Sequence, residues 1–325
     1  MLPAPVTASA YRRFEMELSP LNPAQQEVVD LLGAPRSEWP EFDPDLRTDL
    51  RGMLDDALSP LADGLGEETL WVGKYKLKEV HGCEVRFVAE QAGFVPSAAT
   101  ARGTVTHKAI ELTLNLPGDT PPLDLIDEAI ARLQDSDAWL AEWLRTCDGA
   151  ERAELRGEVN DLLVKFLDCW PPLRPQWRPA PESRLNYDLF GGTIVLAGKV
   201  DLALGRAEGT RAGKVLIDLK TGRSSPLHRE DLRFYALIET LRLGVPPRRI
   251  ATHYLDSGHF QIEDVNLDVL DAAVARTVDG IAAMVELRDP ERPLQKKPGT
   301  ACGWCALAED CAEGQEWLTD ESRAY

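Results

Sequence analysis

Apolar residues recur along this chain with two different periods, and the change between them divides it. At 23–32 and 44–58 they fall three and four apart, which predicts two short helices in a Pro-punctuated N-terminal stretch. Residues 76–92 predict a helix containing Cys83, and 103–115 another that ends before Pro117-Gly118. From 121 to 170 Leu, Ile, Ala and Trp keep the helical spacing, with an acidic outer face. Between 181 and 220 the period becomes two and predicts about three strands. Val200, Leu202 and Leu204 alternate around Asp201, and Val215, Ile217 and Leu219 alternate around Asp218 and Lys220. A Gly-containing turn joins these runs as an antiparallel hairpin. A helix opens at Ser225-Pro226 and stops at Gly244. Strands near 250–256 and 260–265 and a helix over about 267–287 precede a cysteine-rich tail. This order predicts a mixed α/β fold with a central sheet.

The same pattern sets the expected organisation. Residues 1–70 read as an acidic helical appendage and 71–325 as the main domain, with 121–170 as a helical insertion that caps it. No run approaches 18 apolar residues, so no membrane span is expected. The start, MLPAPVTASAYRR, lacks a basic segment followed by an apolar one, and a cytoplasmic location follows by default. The net charge of −18 speaks against a general nucleic-acid-binding surface. The charge is uneven, however: residues 199–249 hold eleven bases and six acids, against ten acids and two bases in 38–68.

That basic segment contains the candidate chemistry. Residues i and i+2 of a strand share a face about 6.6 Å apart, so Asp218 and Lys220 project together and Asp201 reaches them from the neighbouring strand. Two carboxylates with water or phosphate oxygens suit Mg²⁺ or Mn²⁺. Lys220 would orient a water or stabilise charge developing on a phosphate, and Gly222 would let a substrate backbone approach. Upstream, His107 and Glu111 lie at i and i+4 on one helix face and would complete the ligand set. Tyr235, one turn after Asp231, suits a phosphate or base contact, or simply packing on the sheet. Each piece alone has a bland explanation, a surface ion pair or a solvated helix contact.

Of the six cysteines, Cys302, Cys305 and Cys311 form a C-x2-C-x5-C run, a metal-site spacing whose fourth ligand must come from afar. Cys83 is the best candidate, and zinc and an iron–sulfur cluster are both open. Cys147 and Cys169 lie beside Leu and Trp on helical faces and read as core residues.

Taken in order, G-x-x-x-H-x-x-x-E at Gly103–Glu111, G-K-V-D ending at Asp201, D-L-K-T-G from Asp218 and the tyrosine-bearing helix resemble the PD-(D/E)XK nuclease superfamily, within it the RecB-like exonuclease domains. The resemblance covers roughly residues 75–315. It implies a restriction-endonuclease-like mixed central sheet flanked by helices. It also implies His107, Asp201 and Asp218 as metal ligands with Glu111 as a further one, Lys220 as catalytic lysine, and Tyr235 in the accompanying helix motif. One position departs: such domains usually carry Gln four residues before the tyrosine, and this chain carries Asp231. One early and three late cysteines are similar to the iron–sulfur members, the AddB-type and CRISPR-associated exonucleases. There Cys83, Cys302, Cys305 and Cys311 would hold a [4Fe–4S] cluster. The implied function is a metal-dependent DNA exonuclease in repair, recombination or processing of foreign DNA. Its substrate would be single-stranded DNA or DNA with free ends, with a helicase or a repair or defence protein as partner. The rivals are a catalytically silent iron–sulfur platform that binds DNA or a partner, and a zinc-stabilised DNA-binding protein.

Overall fold

β-Branched and aliphatic residues at every second position from 180 onward do form strands, and they assemble with one short earlier strand into a six-stranded mixed sheet. This computed structural model describes residues 20–66, 68–90, 97–116, 119–136 and 138–320. In chain order the elements are α1 (Pro23–Leu32), α2 (Leu46–Gly64), β1 (Leu70–Val72), α3 (Lys74–Val80), α4 (Glu84–Glu90) and α5 (Ala98–Thr113). Then follow α6 (Pro122–Ser136), α7 (Ala138–Thr146), α8 (Gly149–Cys169), β2 (Ala180–Leu189), β3 (Ile194–Leu204) and β4 (Val215–Lys220). The chain continues with α9 (Leu227–Leu243), β5 (Arg249–Tyr254), β6 (His259–Asp264), α10 (Leu267–Glu286) and α11 (Ala312–Thr319).

β2 and β3 pair antiparallel along nearly their whole length, β3 and β4 antiparallel at one end, and β4 and β5 parallel. β5 and β6 close that edge as a hairpin. Helices cover both faces, each over its own apolar core. One core joins Leu50, Leu54 and Leu58 of α2 with Leu237 of α9 and Leu270 and Ile281 of α10, against Leu196, Val200 and Leu216 of the sheet. The other joins Val105 and Ala109 of α5 with Ile126, Leu140 and Leu163 of α6, α7 and α8, against Leu202, Ile217 and Leu219. The sheet is thus buried on both sides, which is why β4 is buried at nearly every position.

The helical expectations are met with three changes. Of the expected helix over 76–92, residues 91–92 lie outside the described residues and the rest is two helices, because the chain leaves helical geometry at His81-Gly82; Cys83 sits in the break, just ahead of α4. The described residues of 121–170 form three helices, the last begun by a capping box on Asp148. They supply much of the second core beneath α5. In 1–70, the described helices α1 and α2 likewise bury Val28, Leu32, Leu50, Leu54 and Leu58 in the two cores. β1 is three residues long, too short for a period to register. Among the described residues no helix is long and apolar enough to cross a membrane.

Candidate active site and cysteine cavity

β3 is paired unequally on its two edges, and that asymmetry opens the site. β2 occupies one edge from Ile194 to Ala203. The other edge holds β1 at Ile194–Leu196 and β4 at Leu202–Leu204, so Ala197–Asp201 lies between two strands that do not reach it. The β3–β4 ladder stops at Leu202↔Ile217. One residue on, the Leu219 N–H donates to Asp201 Oδ2 at 2.7 Å. A carboxylate here does the work of a main-chain carbonyl and caps the ladder where the strands part. The predicted hairpin therefore holds, and its aspartates stand at its open end.

Continuing the register places a second carboxylate on each side of Asp201. Asp218 follows Ile217 on β4, and Glu182 lies between the pairs Pro181↔Leu202 and Ser183↔Val200 on β2. Glu182 has φ of 49°, a left-handed backbone that non-glycine residues seldom adopt. His107 reaches the same point from α5, its Nδ1 3.1 Å from Asp201 Oδ1. One ligand atom each from His107, Glu182 and Asp201 falls within 4.8 Å of the others. One imidazole nitrogen and two carboxylates fit a divalent ion. Burial works against a charged His107, but the Asp201 carboxylate outweighs it and raises the imidazole pKa above 6.5.

Asp218 is fully buried and lies between two ammonium groups, Lys74 Nζ at 2.9 Å from Oδ1 and Lys220 Nζ at 2.6 Å from Oδ2. Burial alone would raise its pKa; the two lysines overcome that and hold it well below the ordinary carboxylate range. Lys74 is raised well above its usual value, burial again being outweighed, first by Asp218. Only Oδ1 accepts an aligned hydrogen bond. Oδ2, though close to Lys220, has none.

The remaining expected residues fall as follows. Asp231 on α9 is 3.7 Å from Lys220, and burial raises its pKa despite the nearby Lys74 and Lys220. This loose pairing answers the repulsion a carboxylate would otherwise exert at that position. Tyr235 is buried, with Lys74 Nζ 5.2 Å from its ring centre. Its ring packs on Gly198, where a Cβ would come within 2.3 Å of Tyr235 Cε1. Glu111 pairs with Lys108 at 2.8 Å and is not among the three donors that meet. Gly222 faces open space. Lys74 and Glu182 were not legible beforehand. Lys74 stands in G-K-Y-K-L-K, whose lysines suggest a solvated helix start, and nothing in P-E-S announces a left-handed residue.

The cysteines form a second centre. Cys83, Cys302, Cys305 and Cys311 line one cavity of about 540 Å³, although Cys83 lies more than 200 residues before the other three. Glu84 ties the tail to this place: it accepts from Arg292 at 2.8 and 2.9 Å and from the Gln295 N–H at 2.8 Å. Gly314 leaves room, since a Cβ there would sit 3.3 Å from Cys311 Sγ and 3.5 Å from Cys302 Sγ. Lys296 and Lys297 line the same cavity and would offset thiolate charge. Four thiols around one cavity fit a metal or cluster. Cys147 and Cys169 take no part in it, and the Cys169 thiol, packed at the edge of the second core, is pushed up by burial.

The family model of the PD-(D/E)XK nuclease superfamily matches residues 75–312. No curated protein matches by sequence. Among solved structures, the chain is similar to a candidate exonuclease from Eubacterium rectale, at 12% identity and a TM-score of 0.45, over 75% of this chain and 88% of that one. It is also similar to SSO0001, at 12% identity and a TM-score of 0.30, over 74% of this chain and 95% of that one.

Proposed function

As the chain belongs to the PD-(D/E)XK nuclease superfamily, we propose that it is a divalent-metal-dependent deoxyribonuclease, an exonuclease on single-stranded DNA or DNA with free ends. The observation that carries this reading is the meeting of His107, Glu182 and Asp201 in the opening of the sheet, next to Asp218 and Lys220. His107, Glu182 and Asp201 would hold Mg²⁺ or Mn²⁺, with Asp218, whose two oxygens face Lys74 and Lys220, standing beside them. When bound, such an ion lowers the pKa of a water and screens phosphate charge. Lys220, kept in place by Asp218, would donate to a phosphate oxygen as charge builds on it. In the hydrolysis the water oxygen adds to phosphorus, the ester P–O bond breaks, and the leaving sugar oxygen takes up a proton. Tyr235 and Gly198 shape the wall behind Lys74 and touch no reacting atom in this reading.

The cysteine cavity supports a [4Fe–4S] cluster that ties the tail to the break between α3 and α4. Among the described residues no three of these sulfurs lie within 4.8 Å of one another. A single zinc, with Zn–S near 2.3 Å, would need thiols about 3.8 Å apart. The wider ring favours the larger group. A cytoplasmic site of action, beside a helicase or a repair or defence protein, completes the proposal.

One observation favours a second reading. Asp218 is already ion-paired with two lysines, as in a catalytically silent platform that binds DNA through a nuclease-like fold. The test is degradation of linear and circular single-stranded DNA with Mn²⁺, alongside iron determination after anaerobic purification. The enzyme reading expects loss of the linear substrate only, abolished in Asp218→Ala. Binding without cleavage would establish the platform, and cleavage of the circle would make the protein an endonuclease.

A further inference from the structure

We propose that Lys74 is a positioning residue that takes one oxygen of Asp218 and so holds this site to a single divalent ion. The inference rests on the metal-site reading above and adds to it the number of ions and the residue that sets it.

Lys74 is the first residue of α3, immediately after β1. Since β1 and β4 lie on the same edge of β3, the turn out of β1 delivers a side chain into the opening between them. Gly73 brings it there closely: a Cβ at Gly73 would be 3.4 Å from the Ala197 carbonyl. From this position Lys74 Nζ donates to Asp218 Oδ1 at 2.9 Å, while its charge lies near the Tyr235 ring. The contact is not a surface accident, because Asp218 is fully buried. An unpaired buried carboxylate is costly, and Lys74 relieves that cost.

A carboxylate joins two divalent ions by giving one oxygen to each. Asp218 has given Oδ1 to Lys74, and its buried Oδ2 lies 2.6 Å from Lys220 Nζ, so neither oxygen is free to join a second ion. The charge count agrees. With His107 neutral, as a metal ligand must be, Glu182, Asp201, Asp218 and Asp231 face Lys74, Lys199 and Lys220, a formal excess of one negative charge. One divalent ion turns that into a single positive charge. A second would leave three, with Lys74 ammonium still lodged beside it. Such crowding of like charge in a low-dielectric pocket is unfavourable.

The experiment is calorimetric titration of Mn²⁺ into the full chain without DNA, for wild type, Lys74→Arg and Lys74→Met. Circular dichroism confirms that each variant is folded. One ion per chain is expected for wild type and Lys74→Arg. For Lys74→Met, two ions are expected, or one bound at least tenfold more tightly through the released Oδ1. Two ions in wild type, or a Lys74→Met isotherm identical to wild type, would overturn the proposal. The wild-type count does so even where a variant fails to fold. Absence of any Mn²⁺ binding in all three proteins would be a different failure, that of the metal-site reading itself, and Lys74 would lose its proposed role with it.

Discussion

Asp201 Oδ2 accepts the Leu219 N–H at 2.7 Å, while Oδ1 of the same carboxylate is 3.1 Å from His107 Nδ1. One side chain thus ends the β3–β4 ladder and begins the proposed metal site. The two roles separate by substitution. Asp201→Asn keeps an acceptor for Leu219 but removes charge. It should cost cleavage about 10² to 10³-fold with little change in stability. Asp201→Ala removes both, and should also lower unfolding free energy by about 1–2 kcal/mol. Urea denaturation beside a cleavage assay checks this; equal stability losses for both variants would show that the acceptor role is not real.

Gly198→Ala should disturb the site from a distance. Its Cβ would meet Tyr235 Cε1 at 2.3 Å and Cδ1 at 2.8 Å, and Tyr235 is a buried side chain of α9. Overpacking of this kind costs about 1–3 kcal/mol. The expected outcome is a lower denaturation midpoint together with weaker cleavage. An unaltered midpoint would mean that the ring yields freely.

How much of this was legible beforehand follows from where each signal lives. Alternation of Val200, Leu202 and Leu204 around Asp201 and of Val215, Ile217 and Leu219 around Asp218 announces a hairpin whose carboxylates need a partner. That part survives in the structure. Which residues partner them is a matter of strand neighbours, and sequence does not state those. Glu182 joins the site only because β2 runs opposite Asp201, and Lys74 only because β1 and β4 share an edge of β3. Glu111 has the right spacing from His107, yet it pairs with Lys108. Likewise, an amphipathic run such as 121–170 looks the same whether it caps a domain or forms its core; the contact with α5 decides.

Loss of a cysteine should loosen the whole chain. Cys83 and Cys302 belong to segments held together at the cavity, and a group bound there closes a very long loop. Cys302→Ser and Cys83→Ser should each abolish iron content and lower the melting temperature by at least about 5 °C. Equal melting temperatures with the iron gone would show that the cluster has no structural role.

The pH dependence follows from His107. Its folded-state pKa is raised above 6.5, so the His107–Asp201 ion pair stabilises the metal-free protein fully below pH 6.5 and is lost as pH rises through the raised value. A proton and a divalent ion compete for the same imidazole. Mn²⁺ affinity should therefore climb with pH through that window, up to tenfold per unit, and then level. In His107→Gln both trends should vanish, as read by urea denaturation with chelator and by Mn²⁺ titration between pH 6 and 9. A pH slope that persists in the variant would assign the proton elsewhere.

The most direct measurement is anomalous diffraction from a crystal soaked in Mn²⁺. The account predicts a manganese peak between His107, Glu182 and Asp201, at the open end of the β3–β4 hairpin. A soaked crystal with no peak there, its His107 still bonded only to Asp201, would contradict it.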